Sequence, residues 1–348
     1  MTHHHESILR SSIRAFFTSL FKGVGFLLAF IPIIFIIAGI GAIKDDFPKK
    51  DFQERVLPDA EGKRSFMSTT KPKILQIDVQ GIIGTERINF EKVRDMLIQS
   101  REGDLKDGLV KGILLSINTP GGTVIDSDGI YSALKAYKAQ YDIPVYAYVD
   151  GLCASGGMYV ASAADKVYAS DVSLIGSVGV ILSTFPNVSD TLEKIGVTTV
   201  TVSAGKGKDA MNPFRPWKDN EAENFEMLTN YYYQQFVDLV VENRPGVSKE
   251  KLVNEYGAKV FPAAIAQEIG MIDVKGATRK QALTALVEEC GIEESYQVVT
   301  LEKENWLDAL FNAKSPLFTG KIEHSFQLNG TIPPELNHKF LYLEPSLL

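Results

Sequence analysis

The chain lacks what a metalloprotein, a disulfide scaffold or a nucleic-acid binder needs. Only two residues of 348 are cysteine, Cys153 and Cys290, too far apart for a metal-ligand spacing and too few for a disulfide framework. Histidine is almost as scarce. The run His3, His4 and His5 reads as a solvated tail rather than a metal tract, and His324 and His338 stand near the far end. The middle of the chain therefore offers no histidine to a Ser-His-Asp arrangement. A basic excess is missing too: 36 Lys and Arg face 43 Asp and Glu, for a net charge of -7, with both signs interspersed. Without a basic stripe, nucleic acid is excluded as a partner. There is no internal repeat.

A hydrophobic content of 45% over this length supports one principal folded domain. Before it comes "GVGFLLAFIPIIFIIAGIGAI", residues 23–43, without a charge. At about 1.5 Å per residue this run spans the roughly 30 Å hydrocarbon core of a bilayer, so it predicts one transmembrane helix, with Pro32 as a place to kink. A cleaved signal peptide is the competing reading, but its apolar region is usually about 7–15 residues. Arg10, Arg14 and Lys22 precede the run, whereas Lys44, Lys49, Lys50, Arg55 and Lys63 follow it, a count that leans toward a cytoplasmic body. Residues 1–22 read as a tail and 44–72, rich in Lys, Asp, Pro and Ser without period, as a tether.

From Lys73 onward short β-rich runs, 73–79, 112–117, 144–149 and 166–169, alternate with helical patterns at 89–101, 124–140 and 154–164. This predicts an α/β body with parallel strands and a site at their carboxyl ends. Further helices are expected at 219–243, 248–256, 262–269 and 276–289. Residues 301–348, with Pro333, Pro334 and an amphipathic "WLDALF" at 306–311, read as an extension of unassigned role.

"DGLCASGGMYVASAAD", residues 150–165, places Ser155, Gly156 and Gly157 between a strand and a helix. A hydroxyl there stands at a helix N-terminus, where free N–H groups favour negative charge, and the glycines clear space for a substrate backbone. Ser155 is either a nucleophile or a plain N-cap. "LLSINTPGGTVID", 114–126, puts Pro120, Gly121 and Gly122 after another strand, so the N–H groups of Gly122 and Gly156 could form a two-donor oxyanion hole. With no histidine at hand, a lysine or carboxylate must activate the serine. "SAGKGKDAMNPF", 203–214, offers Lys206 and Lys208, which serve as a base only if their surroundings bring a lysine pKa down from about 10.4, and which are otherwise two solvated loop lysines.

"INTPGG", "GLCASGGMYVASAADKVYAS", "SLIGSVGV" and "SAGKGKD", in that order and spacing, resemble the signal peptide peptidase A family of membrane-bound serine-lysine proteases. The resemblance covers about residues 73–290 and implies a ClpP/crotonase-like fold. By position it implies Ser155 as nucleophile, Lys208 as general base, Ser177 of "IGSVG" as the serine that orients the lysine, and Gly122 and Gly156 as oxyanion donors, although Lys206 lies two residues away and Ser177 could be a plain turn hydroxyl. Leu174, Ile175 and Val178 are candidates for an apolar wall around that lysine. Thr119 and Pro262 depart from the family's usual serine and glycine.

The resemblance further implies no metal and no cofactor, signal-peptide remnants as peptide substrates, a lipid bilayer around the anchor, and a homo-oligomer whose neighbours complete each site. It places a single-pass protein in a bacterial plasma membrane with the catalytic body, 73–300, outside the cytoplasm, against the lean of the lysine count. A crotonase-type acyl-CoA enzyme, which needs neither Ser155 nor Lys208, and a non-catalytic membrane scaffold are the alternatives.

Overall fold

The computed structural model describes residues 8–44, 52–65, 71–182, 184–293, 295–303 and 340–343. It divides into two units, residues 1–53 and 54–348.

The first unit holds one helix, α1 (Ile8–Lys44). It starts well before the uncharged run, because Arg10, Arg14 and Lys22 are good helix formers that an exposed helix accommodates, and Pro32 lies inside it without ending it. Its stretch Ser12–Pro32 is long and apolar enough to cross a bilayer by length and composition.

In the second unit, the main sheet is built from β1 (Phe52–Leu57) from Glu54 onward, β2 (Lys73–Gln80), β3 (Val110–Thr119), β5 (Val145–Ala154), β6 (Lys166–Ala169), β7 (Leu174–Gly176), β9 (Val260–Pro262) and β10 (Gln297–Lys303). The α/β class expected from the sequence is the one adopted. The order is β1-β10-β2-β3-β5-β7-β9, with β6 also on β5. The central pairings are parallel, and β9 is antiparallel to β7. Two expected boundaries are corrected. Residues 52–57 are a strand rather than tether, and the sheet continues past residue 300 through β10. Phe52, Glu54, Val56 and their alternates gave too short a pattern to announce an edge strand.

Alternate residues on the central strands face opposite layers. Leu75, Ile113 and Val145 form one buried cross-strand row, and Ile77, Leu115 and Ala147 the next. On the other face Ile74, Leu114, Tyr146 and Val298 pack against Leu283 and Leu286 of α9 (Arg279–Glu289). α9 begins in a capping box between Thr278 and Gln281, which satisfies orphan N–H groups at its first turn. α2 (Phe90–Gln99), α3 (Val124–Tyr141) and α4 (Gly156–Ala161) pack in succession, and α4 lies against β3 and β5. Three short helices, α5 (Ser189–Lys194), α7 (Lys249–Lys251) and α8 (Ala263–Glu268), and the longer α6 (Glu223–Asn243) complete the unit. Two further strands, β4 (Gly121–Thr123) and β8 (Ile181–Leu182), share a small second sheet with β11 (Phe340–Leu343). The amphipathic "WLDALF", His324, His338 and the N-terminal histidines lie outside the described residues.

Candidate active site

The parallel register of β5 and β7 pairs Ala154 with Gly176, so Ser155 and Ser177 follow side by side at the carboxyl ends of neighbouring strands. Both have φ of 54°, in the left-handed region that non-glycine residues avoid. At Ser155, with ψ of -114°, the chain turns sharply from β5 into α4. The turn is fixed on both sides: Ser155 N–H donates to the Gly176 carbonyl at 2.8 Å, and the Ser155 carbonyl accepts from Tyr159 N–H at 3.0 Å. Such strain persists only where the surroundings over-determine it, and it concentrates at functional sites.

Ser155 occupies the N-cap position of α4, but its side chain makes no capping hydrogen bond. Its hydroxyl instead reaches the Gly179 carbonyl at 3.4 Å, long for an O–H···O contact. The residue is fully buried. The hydroxyl is thus held loosely and is not engaged in capping the helix. Cys153, two residues earlier, is fully buried, and burial pushes its thiol up to about 12.

The "PGG" turn sits beside this one. Thr119 Oγ1 donates to the Gly81 carbonyl at 2.5 Å and accepts from Gly121 N–H at 3.0 Å, locking the end of β3. Gly122 lies against Ile83, where a Cβ would come within 1.8 Å of the Ile83 carbonyl oxygen. The expectation that the second glycine of "SGG" leaves room for substrate is corrected: a Cβ on Gly157 would meet the Thr119 methyl at 2.6 Å, so the space is already filled by protein. Gly156 heads α4, where the first N–H groups have no intrahelical acceptor.

Ser177 is buried, and its N–H donates to the Lys259 carbonyl at 2.8 Å. Gly176 before it has φ of 132°, and a Cβ there would stand 2.5 Å from that same carbonyl oxygen. Of the expected wall residues, Ile175 and Val178 are fully buried and Leu174 is partly exposed.

The hydrogen bond made by the Ser155 hydroxyl is to the Gly179 carbonyl and not to a lysine. Lys206 and Lys208 are exposed, and among the described residues neither ammonium has a hydrogen-bond or ion-pair partner. Their loop is nonetheless ordered by a cluster that sequence reasoning missed. Arg215 Nε donates to Asp209 at 2.6 Å and the same guanidinium bonds Glu221, while Asn212 donates to Asp209 at 2.6 Å. The Arg215 hydrogen bonds hold Asp209 below the usual carboxylate range and Glu221 down at about 2. No spacing in the sequence announces these contacts. Beside β8, Leu182, Phe185, Met211, Trp217 and Phe225 line an open apolar groove of about 410 Å³. Among the described residues no group of His, Cys, Asp and Glu is arranged to hold a metal.

Residues 137–293, which contain Ser155, Ser177, Lys206 and Lys208, match peptidase family S49. A Synechocystis protein provisionally named as a protease is 30% identical over 213 residues, which is 61% of this chain and 72% of that protein. The chain belongs to peptidase family S49. A Methanocaldococcus jannaschii protein, also provisionally named as a protease, is 34% identical over 200 residues, or 55% of this chain and 63% of that one. An Enterococcus faecium protein provisionally named signal peptide peptidase SppA is 30% identical over 226 residues, 62% of this chain and 63% of its own. The chain thus spans somewhat less than two thirds of the length of these last two relatives. Among solved structures, a ClpP1 N165D mutant from Listeria monocytogenes aligns with 60% of this S49 chain and 94% of its own at 17% identity and a TM-score of 0.40.

Proposed function

We propose that this S49 chain is a membrane-anchored serine endopeptidase in which Ser155 is the nucleophile and Lys208 the general base. The observation that carries the reading is the Ser155 turn: a strained backbone presents a hydroxyl that caps nothing, at the carboxyl end of a parallel strand. A side chain needed only as a cap would bond the first turn of α4 and would not require positive φ.

In this reading the neutral amine of Lys208 takes the Ser155 proton as Oγ attacks a peptide carbonyl carbon. The N–H groups of Gly122 and Gly156 stabilise the oxyanion. The C–N bond breaks, the leaving amine takes the proton back from Lys208, and a water deprotonated by the same lysine hydrolyses the ester. Ser177, adjacent to Ser155, orients the amine. No cofactor takes part.

Lys208 is exposed in the single chain. A lysine acts as a base only in dry surroundings, so a second copy of the chain completes the site and the working enzyme is a homo-oligomer. The apolar groove beside β8 suits apolar peptides, and the SppA-named relative supports signal-peptide remnants in the membrane as substrates. The apolar stretch of α1 supports a single-pass anchor, and the resemblance to the signal peptide peptidase A family supports a body on the extracytoplasmic side of a bacterial plasma membrane.

The test is hydrolysis of an apolar reporter peptide by the detergent-extracted full chain. Ser155→Ala and Lys208→Ala each lose all measurable activity, the double variant loses no more, and Lys206→Ala stays active. An active Ser155→Ala protein overturns the reading. A dead Lys206→Ala beside an active Lys208→Ala moves the base by two residues.

A further inference from the structure

α4, the helix that Ser155 heads, has only six residues, and a helix that short is held by its surroundings rather than by its own hydrogen bonds. Its carboxyl end is met by Arg244, the residue that closes α6. Arg244 Nη2 donates to the Ala161 carbonyl at 3.2 Å and to the Ala164 carbonyl at 3.3 Å, while Nη1 donates to Asp273 Oδ2 at 2.8 Å. The same carboxylate oxygen accepts from Val167 N–H at 2.7 Å, and Asp273 N–H donates to the Val167 carbonyl at 2.9 Å. Val167 lies on β6, which pairs along β5, the strand that leads into Ser155. Both ends of α4 are therefore referred to one strand, the near end by the chain and the far end through Arg244, Asp273 and β6.

The Arg244 side chain is 4% exposed and that of Asp273 40%. Burial lowers the pKa of the guanidinium and Asp273 opposes that shift, yet Nε has no hydrogen-bond partner among the described residues. A buried ion pair of this kind is a weak source of stability, since apolar side chains of similar bulk fill a core as well or better. What an apolar side chain cannot do is bridge two carbonyls and a carboxylate in one rigid planar fork. The charge also acts beside the nucleophile: burial raises the Cys153 thiol, and Arg244 works against that rise.

We propose that Arg244, fixed by Asp273, is a positioning residue for Ser155: it clamps the far end of α4 so that the turn at the near end keeps the Ser155 hydroxyl and the Gly156 N–H in place for attack. The proposal rests on the reading of Ser155 as a peptidase nucleophile. The turn holds a φ of 54° against its own preference, and a helix free to pivot would let it relax. At about 1.5 Å per residue α4 is about 9 Å long, so a pivot of roughly 6° about one end moves the other by about 1 Å. A misplacement of about 1 Å is enough to slow a reaction on the order of a hundredfold.

The experiment follows the labelling of Ser155 by a fluorophosphonate in the detergent-extracted full chain, with the modified peptide mapped at each time point. The amplitude counts folded sites, and the rate constant reports how well each folded site is arranged. A merely structural role moves the amplitude alone. Arg244→Met, which keeps the apolar stem and loses the fork, should lower the rate constant at least tenfold. With an apolar reporter peptide, its kcat per labelled site should fall by the same factor and KM should change less than twofold. Arg244→Lys should recover only part of the rate, because an ammonium keeps the charge without bridging all three acceptors. Asp273→Asn, a change at a partly exposed side chain that still accepts from Val167 N–H, should slow labelling several-fold, and it decides the matter if Arg244→Met does not fold. An unchanged rate constant in Arg244→Met, or in Asp273→Asn where only that variant folds, overturns the proposal whatever the amplitude. A parent chain in which Ser155 is never labelled overturns the nucleophile and the clamp together, a result distinct from labelling at an unchanged rate.

Discussion

Ser155 N–H donates to the Gly176 carbonyl, and the next residue, Ser177, repeats the positive φ of 54° on the neighbouring strand. The two turns hold one another, so the strain at Ser155 is a property of a strand pair rather than of one loop. Glycine adopts this conformation without the cost of roughly 1–3 kcal/mol carried by other residues. Ser155→Gly should therefore be inactive but melt no lower than the parent chain by calorimetry. A marked fall in Tm would mean that the side chain of Ser155 holds the turn together.

Gly157 and Thr119 are matched in size. Gly157→Ala should destabilise the body by about 1–3 kcal/mol, because its methyl must displace that of Thr119 in a packed interior. Thr119→Ser removes the obstructing methyl and keeps the hydroxyl that bonds Gly81 and Gly121. In denaturant titrations the double variant should recover most of the loss; additive losses would show that the two residues do not share the space.

Arg215 ties Asp209, next to Lys208, to Glu221. Arg215→Ala should lower kcat at least tenfold by freeing the loop of the proposed base, while Tm changes little. Unchanged kcat would detach the loop's order from the chemistry. Arg215→Lys should not rescue it, since an ammonium cannot bond both carboxylates in the guanidinium's planar fork.

The same cluster gives a pH response. Glu221 is held at about 2 and Asp209 is also lowered, both chiefly by hydrogen bonds from Arg215. An ordinary glutamate titrates near about 4.3, so the contribution is complete above that pH and lost as the pH falls toward 2. Trp217 reports on the loop because its Nε1–H donates to the Asn212 carbonyl at 3.0 Å. In a Trp306→Phe background its emission should stay constant from pH 7 to 5 and shift between about pH 4 and 2. A shift complete above pH 5 would contradict the bonded cluster.

The central sheet and its helices were legible because strands 73–80 and 110–119 are long, apolar and bounded by turn residues, and α3 and α6 carry long helical patterns. The β7, β8 and β9 strands, two or three residues each, were not, since such runs show no period; their pairing is decided by the tertiary fold. Ser155 and the "PGG" turn stood out locally. What their glycines pack against, Ile83 and Thr119, did not, because close approach across the chain leaves no mark in the sequence. The arrival of residues 340–343 beside Gly122 was hidden for the same reason.

The claim that Ser155 is the nucleophile is tested most directly by labelling the intact protein with a fluorophosphonate and mapping the modified peptide. The account predicts a single adduct on Ser155, lost in Lys208→Ala and retained in Lys206→Ala. An adduct on another serine, or an unlabelled Ser155 in a protein that hydrolyses the reporter peptide, would contradict it.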